Sequence, residues 1–193
     1  MDQLAAISEI QLRIALYEDM KAYKRLYELL SEGLYRFSYS IVRSVEVAEE
    51  IVSDVFIKVW QIRSRLSEVD NLRVYVYTIA RNFSLNYLAR NADNRVIGLE
   101  SLEPGDLAGG NSPADLCISA DLANQMRRIV QQLPPQCRTI FRLVREEGLK
   151  YKEVAAILEL SPNTVRNQLA IAIQKLGEAP LLKDILSTFG TYD

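Results

Sequence analysis

The side chains best suited to chemistry in this sequence are polar groups that bind rather than react. Residues 163–171 bring amide, guanidinium and hydroxyl groups together within nine positions. Arginine pairs bidentately with guanine, and asparagine or glutamine with adenine, so this composition suits the reading of base edges in duplex DNA. If the segment is a helix, the positions that face away from its apolar stripe are Asn163, Thr164, Arg166, Asn167, Gln168 and Ile171.

The groups that most enzymes and metal sites need are missing. The sequence has no histidine, which excludes Ser-His-Asp and Cys-His nucleophiles and histidine-containing zinc sites. Cys117 and Cys137 form no metal-type cluster, and the eight glycines form no phosphate-binding pattern. We therefore expect no enzyme activity, cofactor, metal site or small-molecule substrate. The remaining acidic candidates are expected on solvated helix faces: Glu49, Glu50, Asp54, Glu146 and Glu147.

Charge is distributed unevenly along a chain whose net charge is −2. Residues 61–95 carry six arginines against three acidic residues, and residues 127–175 carry nine basic against four acidic residues. Between these islands, residues 96–126 hold five acidic and no basic side chains. Affinity for phosphate depends on local patches rather than on total charge, so two separate contacts with nucleic acid are predicted.

The sequence favours a cytoplasmic protein without membrane insertion. No apolar run approaches the roughly 20 residues that a spanning helix requires. The first ten residues, MDQLAAISEI, lack the basic region and cleavage site of a signal peptide. Two unclustered cysteines are compatible with a reducing compartment.

From Asp19 to Asn91, apolar residues recur at spacings of three and four, which predicts helices and no sheet. The first long helix follows Asp19, and the next begins behind an N-cap at Ser44. A third is expected from Asn71 to Ala80 with Asp70 as its N-cap, and a fourth from Phe83 to Asn91. A short interruption at Arg81 and Asn82 is expected to separate these last two helices.

Residues 96–113 lose the apolar period and concentrate glycine and proline, which predicts a flexible linker. Helix is expected to resume at Ser112–Pro113, and another helix to run from Pro135 to Glu147 and end at Gly148. Residues 150–159, 160–161 and 162–177 then have the spacing of a helix-turn-helix, whose second helix enters the major groove. The side chains placed to hold phosphates are Lys150, Tyr151 and Lys175.

Three segments in a fixed order resemble the extracytoplasmic-function sigma factors. Residues 45–63, VEVAEEIVSDVFIKVWQIR, are similar to the family helix that docks on the RNA polymerase clamp. Residues 71–90, NLRVYVYTIARNFSLNYLAR, are similar to its promoter-melting segment, and residues 133–176 to its C-terminal DNA-binding domain. The resemblance covers roughly residues 18–178 and implies four partners or contacts: the polymerase clamp, the polymerase flap, promoter DNA and an anti-sigma factor.

The resemblance implies roles for two sets of side chains. In the family, the loop before the fourth helix captures a base flipped from the minus-ten element, and here that position is Asn82, with Arg81 and Asn86 beside it. An amide offers a donor and an acceptor to an unpaired base, although Asn82 also suits a simple helix cap. The clamp-docking surface is expected on an outward ridge: Glu49, Ser53, Asp54, Ile57, Lys58 and Gln61.

Four aromatic residues of the melting segment have two interpretations. They can stack on exposed bases, or they can pack in the core, and the second is the more common use of aromatics at helical spacing. Tyr75 stands where the family usually has Trp, which weakens the stacking interpretation. The four residues are Tyr75, Tyr77, Phe83 and Tyr87.

We therefore predict an all-α protein of two small helical domains joined by a linker. The N-terminal domain is residues 1–94, the acidic linker 95–113, the C-terminal domain with its helix-turn-helix 114–178, and the tail 179–193. The function implied is that of a sigma factor. Two alternatives remain: a helix-turn-helix regulator that binds DNA without polymerase, and an interaction protein that binds polymerase as a decoy.

Overall fold

The computed structural model describes residues 3–91, residue 130 and residues 132–177. All regular structure in these ranges is helical, and no strand occurs in them, as predicted. No helix in the described part of the chain is both long and apolar enough to cross a membrane. The predicted linker, the helix start at Ser112–Pro113, Cys117 and the tail lie outside the described residues.

The N-terminal half contains four α-helices and one 3-10 helix. The first long predicted helix, α2, begins behind Asp19, whose carboxylate accepts hydrogen bonds from the backbone N–H groups of Lys21 and Ala22. The next helix, α3, begins behind the Ser44 hydroxyl, which accepts from the N–H of Val47. The Ser44 cap was predicted, and the start of α2 after Asp19 agrees with the sequence pattern. The bounds are α1 Gln3–Tyr17, α2 Met20–Val42, α3 Val45–Gln61, the 3-10 helix Arg63–Glu68 and α4 Leu72–Arg90.

Helix α1 was not predicted from the sequence and lies before the segment that resembles the sigma factors. Its buried residues include Ile7, Ile10 and Ile14, at the spacing of one helix face. Buried Gln11 donates from Nε2 to the carbonyl oxygens of Leu66 at 2.6 Å and Val69 at 2.7 Å. These two hydrogen bonds hold α1 against the end of the 3-10 helix.

The interruption predicted at Arg81 and Asn82 is wrong, because α4 is one continuous helix. The buried face that includes Val76 and Ala80 continues to Ser84, whose hydroxyl donates to the Ala80 carbonyl at 2.7 Å. Packing of this face against the core carries the helix through two residues of modest helix propensity. The N-cap is also one residue later than predicted, since Asn71 Oδ1 accepts from the N–H of Val74 at 3.1 Å.

The C-terminal half has the predicted helix-turn-helix, formed by α6 (Tyr151–Leu158) and α7 (Pro162–Gly177). Ser161 caps α7 by accepting a hydrogen bond from the N–H of Thr164 at 3.0 Å. The turn requires a left-handed residue, and Glu159 adopts a φ of 55° there. This conformation is unfavourable for a residue with a Cβ.

The helix predicted from Pro135 to Glu147 is only partly regular. The α-helix α5 spans Pro135–Phe141 and continues as a π-helical turn over Arg142–Glu146. Gly148 then takes a φ of 66°, as expected for the residue that ends a helix. The wider π turn and the left-handed glycine together set the direction of Glu147.

One apolar core joins the two halves. Buried residues of α2, α3 and α4 form a single cluster with buried residues of the C-terminal half such as Leu143, Val154 and Ile157. The contact between halves is made chiefly by α4 against α6. A smaller second cluster lies between α5 and α7, with residues Val130, Leu133, Cys137, Ala172 and Leu176.

Gln11→Ala is expected to lower the free energy of unfolding by about 1–3 kcal/mol, because two carbonyls lose their donor at a largely buried position. Urea unfolding of the whole chain, followed by circular dichroism, measures this difference. Glu9→Ala is the matched control, since Glu9 lies on the exposed face of the same helix. Equal stability of both variants would show that α1 is not fastened as described.

Candidate nucleic-acid interface

The outward face of α7 presents groups that can read base edges. The apolar side of the helix is anchored by Val165 and Leu169, which are buried. This anchoring and the Ser161 cap hold the helix rigidly, which base recognition requires. Four of the six predicted side chains are exposed on it: Asn163, Arg166, Asn167 and Ile171.

The other two predicted residues of α7, Thr164 and Gln168, are half-buried rather than exposed. The Thr164 hydroxyl lies 2.8 Å from the Ser161 hydroxyl at the start of the helix. Gln168 Oε1 accepts a hydrogen bond from the thiol of buried Cys137 at 2.8 Å. The acceptor end of Gln168 is therefore engaged within the domain, which leaves its NH₂ group as the part available to DNA.

The predicted phosphate contacts surround this face. Lys150 and Tyr151 lie at the start of α6, Lys175 lies near the end of α7, and all three side chains are exposed. The backbone N–H of Lys150 donates to the Glu153 carboxylate at 2.7 Å, which fixes the first turn of α6. The ammonium groups remain directed to solvent, where they can contact phosphates.

The candidate minus-ten residues lie on α4 and divide into two kinds. Asn82 and Asn86 are exposed one turn apart on a continuous helix, so Asn82 is not the helix cap considered from the sequence. Arg81 is largely covered, with 16% of its side chain exposed, and its guanidinium lies 2.8 Å from the Glu159 carboxylate. Arg81 Nη1 also donates to Asn82 Oδ1 at 3.5 Å, so Arg81 contacts both the helix-turn-helix and one of the two exposed amides.

The aromatic residues of α4 serve mainly in packing. Tyr77 is fully buried, and its ring lies edge-on to that of Phe37 with centroids 5.4 Å apart. Tyr75, Phe83 and Tyr87 are half-buried and pack against the same core. Stacking on bases is open only to the exposed parts of these three side chains.

The predicted clamp-docking surface is an open ridge on α3. All six of its residues (Glu49, Ser53, Asp54, Ile57, Lys58 and Gln61) are exposed, and the opposite face, including Val55 and Val59, is buried. Ile57 is 53% exposed and is the one large apolar side chain of the ridge. Tyr27 of α2, which was not singled out from the sequence, is 45% exposed, and its ring centroid lies 4.7 Å from that of Phe56.

Glu147 is not on a solvated face, and that expectation is wrong. Its side chain is 14% exposed and accepts hydrogen bonds from Arg36 Nη2 at 2.9 Å and from the Tyr77 hydroxyl at 2.8 Å. Arg73 Nη2 donates to the backbone carbonyl of the same residue. A Cβ at Gly33 would lie 2.5 Å from the Glu147 carboxylate, so only glycine leaves room for it.

The surroundings of Tyr77 and Arg36 in this cluster raise the pKa of both groups. Burial raises the pKa of Tyr77, and the neighbouring Glu147 carboxylate raises it further, so the hydroxyl stays protonated and donates. Burial alone would lower the pKa of Arg36, but the hydrogen bond and charge of Glu147, together with the charges of Glu32 and Glu146, more than offset it. Hydrogen bonds to Glu147 therefore join the two halves of the chain.

Comparison with known proteins identifies both halves. The family described as sigma-70 region 2 matches residues 26–93, and the family described as sigma-70, region 4 matches residues 123–176. The chain is also 23% identical to the ECF RNA polymerase sigma factor SigW of Bacillus subtilis (strain 168), over 78% of this chain and 84% of SigW. This chain belongs to the extracytoplasmic-function sigma factors. Members of that family direct RNA polymerase to promoters.

Two further comparisons show how much of the chain is similar to other sigma factors. A probable RNA polymerase sigma factor, RfaY, of Xanthomonas campestris pv. campestris is 25% identical over 99% of this chain. The match spans 47% of RfaY, so this chain covers about half the length of that relative. The sigma factor RpoE in complex with the anti-sigma factor NepR, from Bartonella quintana, shares the fold with a TM-score of 0.59. It is 23% identical over 82% of this chain and 96% of its own.

Asn82→Ala in this sigma factor is expected to leave the free energy of unfolding unchanged or to raise it by up to about 0.7 kcal/mol. The reason is that Asn82 is an exposed interior residue of α4, where alanine is the better helix former. Thermal and urea unfolding of the wild type and the variant measure the change. The same helix already has an alanine at an exposed position, Ala89. A loss of about 1 kcal/mol would instead be the sign of a helix cap.

Proposed function

We propose that this chain binds core RNA polymerase and directs transcription initiation by reading two promoter elements with two separate faces. The exposed face of α7 reads the duplex minus-thirty-five element, and the exposed amides of α4 capture the melted minus-ten strand. The observation that supports this proposal is that one helix of each matched sigma region exposes side chains that can hydrogen-bond to bases. Arginine and the amides are the types that contact base edges most specifically.

The chain contributes recognition and no bond-making step. We place the chemistry in the polymerase and assign no enzyme activity, cofactor or small-molecule substrate to the sigma factor. We expect it to act in the cytoplasm, where polymerase and promoter DNA are found. Affinity should come mainly from phosphate contacts and from polymerase docking, and specificity from the base contacts.

The proposed domains divide this work. Residues 1–94 dock on the clamp through the α3 ridge and hold the minus-ten strand, and residues 114–178 contact the flap and the minus-thirty-five element. The acidic segment 95–113 links them, and 179–193 form a tail. A charged rim around one exposed apolar residue, Ile57, is the composition expected of such a docking surface.

An anti-sigma factor is the further partner that we propose. The RpoE structure that shares this fold is a complex with the anti-sigma factor NepR. A protein that covers either the α3 ridge or the reading faces would keep this chain from polymerase or promoter.

Run-off transcription with core polymerase on the gene's own upstream region tests the function. Variants of each face test whether the two faces read different promoter elements. Asn82→Ala or Asn86→Ala should weaken recognition of the minus-ten element. Arg166→Ala or Asn167→Ala should weaken recognition of the minus-thirty-five element. Each lost base contact should cost roughly 1–3 kcal/mol, because a bidentate or amide contact discriminates by about that amount. Promoter libraries varied in one element at a time measure the two preferences.

Two outcomes would contradict the proposal. If both pairs of variants altered preference at the same promoter positions, the chain would not have two readers. A tight, specific footprint of the purified chain in the absence of polymerase would favour the alternative, a helix-turn-helix regulator acting alone.

Asp54→Lys should weaken association with core polymerase without lowering thermal stability, because Asp54 lies exposed on the proposed docking ridge. Binding of labelled sigma factor to core enzyme at two salt concentrations measures the effect, since a rim charge acts mainly on association and its salt dependence. Glu9→Lys makes the same change of charge on α1, away from the ridge, and should bind as wild type. Equal affinity of the two variants would remove Asp54 from the docking surface.

A further inference from the structure

The thiol of Cys137 is buried and hydrogen-bonds to the helix that carries the proposed duplex-reading face. Cys137 lies in α5, with 2% of its surface exposed, among the apolar side chains of the smaller cluster between α5 and α7. Its Sγ donates to Gln168 Oε1 at 2.8 Å. A buried cysteine ordinarily serves as a small apolar residue with a weak donor. Here that donor is directed at a side-chain carbonyl of α7.

Gln168 lies at the border between this core and the outward face of α7. Its two neighbours in sequence fall on opposite sides of the border, since Asn167 is exposed and Leu169 is buried. Gln168 is half-buried, and its Oε1 is held towards α5 by the thiol. The two polar atoms of an amide diverge from one carbon, so the NH₂ group is the end that remains for DNA.

The surrounding core fixes the distance between the two side chains. Helices α5 and α7 pack directly against each other. On α5, Ile140 is fully buried one turn after Cys137, and on α7, Leu169 and Ala172 are buried beside Gln168. Neither helix can rotate without exposing these apolar side chains to water, which is unfavourable. The thiol therefore stays within reach of the amide oxygen.

A glutamine held in this way offers the duplex one function instead of two. The usual pairing of glutamine with adenine needs both ends of the amide, because the oxygen accepts from N6 while the NH₂ group donates to N7. Acceptors for a donor alone are present in the major groove on guanine, adenine and thymine, whereas cytosine presents only its N4 donor. A glutamine that can only donate rejects cytosine and does not single out adenine.

We propose that Cys137 is a positioning residue that sets base specificity: its thiol fixes Gln168 as a donor, so that Gln168 excludes cytosine at one position of the minus-thirty-five element instead of selecting adenine. The proposal rests on the proposed function, in which α7 reads that element. Cys137 is buried and does not itself meet the DNA. Its effect on promoter choice passes through the Gln168 amide.

Replacements of Cys137 and of a neighbour separate this role from packing. Cys137→Ala removes the donor, so the half-buried oxygen loses its partner and the amide can turn outward and pair with adenine. Cys137→Ser keeps a hydroxyl that can donate to the same oxygen and should retain the wild-type preference. Val130→Ala removes more apolar volume from the same cluster but no hydrogen bond, and should lower stability without changing base preference.

The measurement is run-off transcription by holoenzyme on a promoter library randomised over the minus-thirty-five element, with sequencing of the transcripts. The position at which Gln168→Ala loses preference is the position that Gln168 reads. There, wild type should use cytosine about tenfold less well than the best of the other three bases. Cys137→Ala should raise the use of adenine relative to guanine and thymine about fivefold, and Cys137→Ala combined with Gln168→Ala should match Gln168→Ala alone. Circular dichroism verifies that each variant is helical.

Several results would overturn the proposal. One is a wild-type preference for adenine, or no exclusion of cytosine, at the position of Gln168, and this result does not depend on how any Cys137 variant folds. Another is unchanged base preference in a helical Cys137→Ala holoenzyme. A third is a change that Val130→Ala reproduces or that persists without the Gln168 amide. If Gln168→Ala altered no position while wild type still chose promoters selectively, Gln168 would make no base contact. Failure of wild type to direct transcription from any promoter would instead contradict the proposed function.

Discussion

The first half of α4 has to be covered on every side, and the rest of the fold follows from that constraint. None of the residues from Leu72 to Arg81 is exposed, although this stretch includes Arg73 and Tyr77. A helix buried all round is stable only when neighbours cover each of its faces. Helices α1, α2 and α3 cover part of it, and α6 of the helix-turn-helix covers the remainder. The two sigma regions consequently share one apolar core in this structure.

This constraint also divides α4 between folding and recognition. Up to Ala80 its side chains are used for packing, and from Asn82 onward the two candidate base-reading amides point to solvent. Arg81 lies at the boundary and is drawn into the contact with Glu159. A single helix therefore carries the joint to the C-terminal half at one end and the proposed minus-ten contacts at the other. Under the proposed function, a bound strand would compete with Glu159 for the Arg81 guanidinium.

The parts of the fold that depend on local pattern were predictable from sequence. The spacing of apolar residues predicted α2, and the same spacing with the caps Ser44 and Ser161 predicted α3 and the helix-turn-helix. Continuity of α4 was not predictable, because Asn82 looks like a break until the buried face beneath it is known. The covered position of Glu147 was not predictable either, because its sequence neighbours suggest one of two acidic residues on the surface. Its partners are 70 and 111 residues away, and no local spacing reports such contacts.

The backbone around Glu147 explains why a charge is used at this joint. The π-helical turn over Arg142–Glu146 and the left-handed Gly148 reverse the chain so that one residue offers both its carbonyl and its carboxylate to the N-terminal half. An apolar side chain could satisfy neither Arg36 nor the Tyr77 hydroxyl. A well-packed apolar joint would nonetheless often be as stable as a buried ion pair or more so, because charges lose hydration on burial. Separation returns that hydration to Arg36 and Glu147. The charged joint is thus specific in geometry yet easier to open than an apolar one of the same area, which would suit the proposed reading of two separate promoter elements.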